Sequence, residues 1–194
     1  MITNSDVFGE EDIIDEILDL LVAGSQTTQY ATQFTLAHFL TDPVSLKRAR
    51  SEYEQVVKNL DPSATQKDRL SFEQLSDLTY MGYVINESLR INPVAVFTTM
   101  YYFENDTKLS DKLTVKANDN LLINIAGLHR HSGYWQRPNE FLPDRFDPSH
   151  PLFKSPNGER RSAYAYLPFS GGKRICFGKT FAESVLKVLL TTMT

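Results

Sequence analysis

Only one cysteine, Cys176, occurs in the 194 residues. A single thiol excludes an intrachain disulfide framework and so leaves the redox compartment open by that route. No uninterrupted apolar run is long enough to span a bilayer, and no segment reads as a secretory signal. Neither acidic nor basic residues dominate: the formal net charge is −4, with 23% charged residues. That balance gives no strong attraction toward nucleic acid. Internal repeats and low-complexity tracts are absent, and no domain boundary is visible. What remains is an ordinary globular composition, 41% hydrophobic, punctuated by an unusual segment around the lone thiol.

That segment is Phe169-Ser-Gly-Gly-Lys-Arg-Ile-Cys-Phe-Gly178. Gly171, Gly172 and Gly178 let the backbone approach a flat, bulky group and take dihedrals other residues avoid. The stretch from Lys179 to Leu189 reads as a helix, which places Cys176 near a helix N-terminus, where peptide dipoles favour an anion. Arg174 adds a positive charge two residues upstream. Phe169 and Phe177 are expected to keep water from the sulfur. Taken alone, a cysteine is more often a small buried hydrophobe than a reactive group.

Helical periodicity over Glu10 to Phe39 predicts one long helix, with Ile13, Ile14, Ile17, Leu18, Leu21 and Val22 on an apolar face. Its middle turns small and polar at Ala23, Gly24, Ser25, Gln26, Thr27 and Thr28. Glycine costs about 1 kcal/mol there relative to alanine. Thr27 or Thr28 can bond back to a carbonyl one turn earlier. A close helix crossing and a functional distortion are equally consistent with that composition. Asp42-Pro43 signals a second helix, with Leu46, Ala49, Tyr53, Val56, Val57 and Leu60 as its buried stripe and Asp61-Pro62-Ser63 as its end. A third runs from Ser71, with Gln74 completing a capping box, to Asn92-Pro93, either unbroken or as a short helix followed by a longer one. It carries Glu87 and Arg90, three residues apart and therefore on one face.

Val94 to Tyr102, Leu113 to Val115 and Leu121 to Ile125 read as short strands. From Gly127 to Arg174 there is no period. This stretch holds six prolines and the only tryptophan, Trp135, among many aromatics. Loops of such length argue against a simple domain unless something organises them. His129 and His131 alternate without further metal ligands nearby, so they read as hydrogen-bonding histidines rather than a metal pair.

The cysteine segment resembles the ligand loop of the haem-thiolate monooxygenases, the cytochrome P-450 superfamily, whose pattern F-x-x-G-x-R-x-C-x-G is met by Phe169, Gly172, Arg174, Cys176 and Gly178. Glu87-Ser-Leu-Arg90 resembles the family's E-x-x-R motif, and Pro143-Asp-Arg145-Phe146 its P-x-R-F motif. Family order is preserved. The resemblance implies a mainly α fold with small β-sheets and covers its C-terminal portion: long central helix, E-x-x-R helix, meander, cysteine loop and the start of the next helix. Residues 1–194 would then be a single partial domain of a longer protein.

The resemblance further implies haem (iron protoporphyrin IX) as cofactor, with Cys176 as axial ligand and metal-binding residue. Phe169, Gly172, Arg174 and Gly178 would line the cofactor, with Arg174 on a propionate. Glu87, Arg90 and Arg145 would form a structural cluster locking the meander to the E-x-x-R helix. Gly24, Gln26 and Thr27 fall in the oxygen-binding groove, where the family usually has an acid at the position of Gln26. An amide cannot relay a proton by ionising. Val94, Ala95, Val96, Phe97 and Thr98 fall where relatives touch substrate, although a buried strand explains the same apolar run. Thr99, Met100 and Tyr101 stand where many relatives place a propionate-binding arginine or histidine.

The implied activity is insertion of one oxygen atom from O2 into a small, lipophilic organic substrate. Electrons would come from an NADPH-dependent reductase or another electron donor, with an acidic partner surface drawn to Arg160, Arg161, Lys173, Arg174 and Lys179. Attachment to the endoplasmic reticulum membrane, by an N-terminal region outside this sequence, is a family-level expectation. Two rivals are a haem-binding fragment without turnover and a structural or interaction module in which Cys176 is inert.

Overall fold

A computed structural model describes residues 9–60 and 70–194. The expected helix end at Asp61-Pro62-Ser63 lies outside the described residues. The chain is mainly helical with two small antiparallel sheets. It divides into two compact units: the described residues up to Ile85 with Phe177–Thr194, and Asn86–Cys176.

The first unit contains α1 (Glu10–Thr41), α2 (Pro43–Leu60), a 3-10 turn (Gln74–Asp77), the start of α3 (Thr79–Ile91) and α5 (Lys179–Met193). Acidic residues Glu10, Glu11 and Asp12 occupy the first turn of α1, where they oppose the positive end of the helix dipole. The Asp12 carboxylate also accepts the Gly9 N–H at 2.8 Å. The expected Asp42-Pro43 boundary is present: Asp42 Oδ1 accepts the Ser45 N–H at 3.3 Å, and α2 begins at the proline. Between Ser71 and Ile91 the chain forms a short turn followed by a longer helix. Gln74 Oε1 accepts the Ser71 N–H at 2.6 Å, which is one half of the expected capping box.

The buried face of this unit comes from Phe39, Ala49, Val57, Leu78, Met81 and Leu190, among others. α1 packs against α2 and α5 through its C-terminal half, where Ala31, Thr32, Thr35 and Phe39 are buried. Its N-terminal apolar row, Ile13 to Val22, is exposed. A long-range contact fixes the start of α3. Glu52 on α2 accepts the N–H groups of Tyr80 (2.6 Å) and Met81 (2.9 Å), two donors that have no partner inside the helix.

The second unit contains the end of α3, then β1 (Tyr101–Tyr102), β2 (Thr107–Ser110), β3 (Leu113–Val115), β4 (Asn120–Leu121) and α4 (Ile125–Leu128). β1 pairs with β4, with Tyr101 opposite Leu121. β2 and β3 form a hairpin with a register shift between Lys108 and Ser110. Two expected strands are much shorter than the sequence suggests. Of Val94–Tyr102, only Tyr101–Tyr102 is strand, with an isolated bridge from Phe97 to Asn124. The ladder breaks because the Thr98 hydroxyl accepts the Ile123 N–H (3.1 Å), where a strand carbonyl would stand. The segment Leu121–Ile125 ends early because Asn124 caps α4, its Oδ1 accepting the Gly127 N–H at 2.8 Å. β2 gave no apolar alternation to detect. The rest of the unit is a succession of 3-10 turns at Pro143–Phe146, Pro151–Phe153, Ala163–Ala165 and Gly172–Arg174.

Candidate functional site

Glu87, Arg90 and Arg145 meet in the second unit, and each is 0% exposed. Arg90 grips the carboxylate with two parallel bonds, Nε to Oε2 at 2.7 Å and Nη2 to Oε1 at 2.8 Å. Arg145 Nε reaches the same Oε1 at 3.0 Å, and the Leu142 N–H donates to it at 2.8 Å. The remaining guanidinium protons go to carbonyls. Arg90 Nη1 donates to His129 (2.9 Å) and Pro138 (2.7 Å). Arg145 donates to Gln136 and Arg137. Buried charge is costly unless paired and fully hydrogen-bonded, and these bonds meet that condition. Burial lowers Arg145 from its ordinary value, and Glu87 opposes that shift. One carboxylate and two guanidiniums thus stitch α3 to a segment whose own structure is limited to short 3-10 turns.

Aromatic rings fill the space beside the cluster. Trp135 is 1% exposed, and its ring lies 6.1 Å from that of Phe146 and 6.2 Å from that of Tyr166. The Tyr166 hydroxyl donates to the Asn86 carbonyl at 2.9 Å. Arg161, expected on a partner-facing basic surface, is turned inward instead. Its guanidinium lies 4.1 Å from the Trp135 ring centre and donates to the carbonyls of Leu152 (2.9 Å) and Arg145 (2.7 Å). Burial is the main cause that lowers it, with Arg145 adding to the effect, yet it stays charged at neutral pH. Nothing in the sequence near Arg161 distinguishes it from exposed Arg160. Of the two histidines, His129 is buried and its Nε2 accepts the Leu167 N–H at 2.8 Å. His131 Nδ1 accepts the Gly133 N–H at 3.1 Å.

The cysteine loop closes on itself. The Cys176 N–H donates to the Phe169 carbonyl at 2.9 Å, and the Ser170 N–H to that of Leu167 at 3.1 Å. Gly172 has φ +67°, a conformation that L side chains avoid. The other two glycines of the motif do not need their freedom: Gly171 is extended at φ −164° and Gly178 has φ −80°. The second left-handed residue is Ser170, at φ +61°, which composition does not single out. Cys176 is exposed, as is Arg174, while Phe169 is half-buried. Phe177 is 85% exposed. A lone exposed thiol, on a loop closed by its own backbone and turned by a left-handed glycine, could hold a metal-containing prosthetic group through its sulfur.

The remaining candidates lie elsewhere. Thr27 Oγ1 donates to the Ala23 carbonyl at 2.6 Å, one turn back in α1. Gln26 is exposed. At Gly24 an added Cβ would meet nothing within 4 Å among the described residues. Gly24 and Thr28 line a groove of about 460 Å³ between α1 and α5, with Phe181, Val185, Leu189 and Met193. In the second unit, Val94 is half-buried, Ala95 is exposed, and Val96 and Phe97 are 47% and 51% exposed. Thr98 is buried. Among the described residues no helix is long and apolar enough to cross a membrane.

Comparison with known proteins gives the same outline. The family model for cytochrome P450 matches residues 2–194. Human cytochrome P450 4F12 is 30% identical over 184 residues, which is 95% of this chain and 33% of that protein. Rat cytochrome P450 4F1 is 31% identical over 93% of this chain and 32% of its own length. A Bacillus subtilis protein, bifunctional cytochrome P450/NADPH--P450 reductase 1, is 32% identical over 89% of this chain and 15% of its own. The chain thus spans about a third of the length of the two mammalian relatives. With the family model matched from residue 2 to residue 194, the chain belongs to the cytochrome P450 family.

Proposed function

We propose that this chain is the C-terminal portion of a haem-thiolate monooxygenase, a single partial domain that inserts one oxygen atom of O2 into a small lipophilic substrate. The observation that carries the reading is the Cys176 loop: its exposed thiol, its Phe169–Cys176 backbone bond and its left-handed Gly172. Cys176 would ligate the iron, with Arg174 on a propionate and Phe169, Gly172 and Gly178 against the macrocycle. When bound, thiolate-ligated haem supplies dioxygen activation, since the sulfur's electron density favours O–O cleavage. Glu87, Arg90 and Arg145 hold the scaffold and touch no reacting atom.

Gly24, Gln26 and Thr27 would lie in the oxygen groove. The Thr27 proton is committed to Ala23, which leaves the oxygen lone pairs as acceptors toward a bound molecule. Gln26 positions through hydrogen bonds but cannot carry a proton by ionising. Val94, Ala95, Val96 and Phe97 offer apolar contact to a lipophilic substrate. Electrons would come from NADPH through a reductase, a reading supported by the fused name of the Bacillus relative. Exposed Arg160, Lys173 and Arg174 favour an acidic partner surface. Attachment to the endoplasmic reticulum membrane, by a region outside this sequence, is part of the same proposal.

The opposing reading is a haem protein without turnover, favoured by Gln26. Substrate-dependent NADPH oxidation by the full-length protein with reductase separates the two. Product formed in step with NADPH consumed is the expected result. NADPH consumption that no substrate accelerates, with no oxygenated product, overturns the monooxygenase reading.

A further inference from the structure

We infer that His129 is a positioning residue that ties the cysteine loop to the buried Glu87–Arg90 cluster and releases it on protonation. The inference rests on the haem-thiolate reading above. Three contacts carry it, all within the second unit. The backbone carbonyl of His129 accepts Arg90 Nη1 at 2.9 Å. Its side-chain Nε2 accepts the Leu167 N–H at 2.8 Å. Leu167 is the root of the loop: its carbonyl accepts the Ser170 N–H at 3.1 Å, and Phe169, two residues on, accepts the Cys176 N–H at 2.9 Å. A Cβ at Gly171 would come within 3.3 Å of Leu167 Cδ2, so the loop is folded closely over that residue.

Because Nε2 accepts, the neutral ring carries its proton on Nδ1. A second proton must go to Nε2, where it would face the Leu167 N–H. Two donors cannot bond, so the tether breaks. His129 is fully buried, and its ring centre lies 5.1 Å from that of Tyr166, the two planes tilted by 32°. The charged groups facing it are Arg90, on α3, and Arg130, both of which disfavour a second positive charge. Burial is the larger cause, and together they hold the imidazole down to about 4. A group with a lowered value in the folded state loses its contribution as pH falls. The tether is therefore intact above about 6.5, the ordinary histidine value, and fails as pH falls toward about 4.

The test compares the wild-type full-length protein with His129→Gln, which keeps a neutral acceptor, and His129→Phe, which keeps a ring without one. Two signals are read: amide hydrogen exchange at Leu167, and the fraction of the reduced, carbon monoxide-bound protein showing the red-shifted Soret band of thiolate ligation, both as a function of pH. His129→Phe should speed Leu167 exchange by tenfold or more, an order-of-magnitude expectation for a lost buried bond, and should lower the thiolate fraction at neutral pH. His129→Gln should restore both, and should hold the thiolate fraction at lower pH than the wild type does. Unchanged Leu167 exchange in His129→Phe, or the same acid profile in all three proteins, would overturn the inference. Absence of any thiolate band in the wild type, with Leu167 exchange still altered by His129→Phe, would instead sink the haem-thiolate reading and leave the tether standing.

Discussion

Glu87 is the residue on which the irregular half of the second unit converges, since Arg90, Arg145 and the Leu142 amide share its two oxygens. Removing one partner of a buried ion pair leaves the others uncompensated in a dry interior, at a cost of about 3–5 kcal/mol. Glu87→Ala should therefore lower the urea midpoint of the full chain by that amount of stability. A loss under about 1 kcal/mol, the scale of an exposed pair, would show that the cluster is not dry. At this scale the sequence was informative where residue types recur in motifs. Spacing alone made Glu87 and Arg90 neighbours, but it could not bring up Arg145, which is 58 positions from Glu87. The inward turn of Arg161 left no trace either, because its partners are the Leu152 and Arg145 carbonyls, and any residue supplies a carbonyl.

At the scale of elements, helices were more legible than strands, of which Leu113–Val115 alone took its expected bounds. The start of α2 could be read because Asp42 and Pro43 act locally, through a capping carboxylate and a fixed φ. The start of α3 could not, because its cap comes from Glu52, 28 residues before Tyr80. That carboxylate satisfies two orphan amides and sits at the positive end of the helix. Glu52→Ala should cost about 1–2 kcal/mol, and Glu52→Gln less than Glu52→Ala. Thermal unfolding of the two variants checks the order; equal losses would argue that Glu52 acts by packing alone. Val94–Tyr102 misled because β-rich composition reports a fit to a half-buried surface, and here the Thr98 hydroxyl interrupts the pairing. In the cysteine loop, composition counted three glycines alike, although only Gly172 uses its left-handed freedom and Ser170 shares that conformation.

For the whole molecule, the family match from residue 2 to 194 fixes what kind of protein this is. The exposed row Ile13 to Val22 on α1 shows that apolar periodicity predicts which face is apolar, not which partner covers it. The proposed oxygen-activating role would rest on one bond, from the Cys176 sulfur to haem iron. The direct measurement is the Soret band of the reduced, carbon monoxide-treated full-length protein, purified with ample haem supply, beside its Cys176→Ala variant. The account predicts a red-shifted, thiolate-type band in the wild type and its loss in the variant. A wild type that binds no haem, or a variant that keeps the thiolate band, would contradict it.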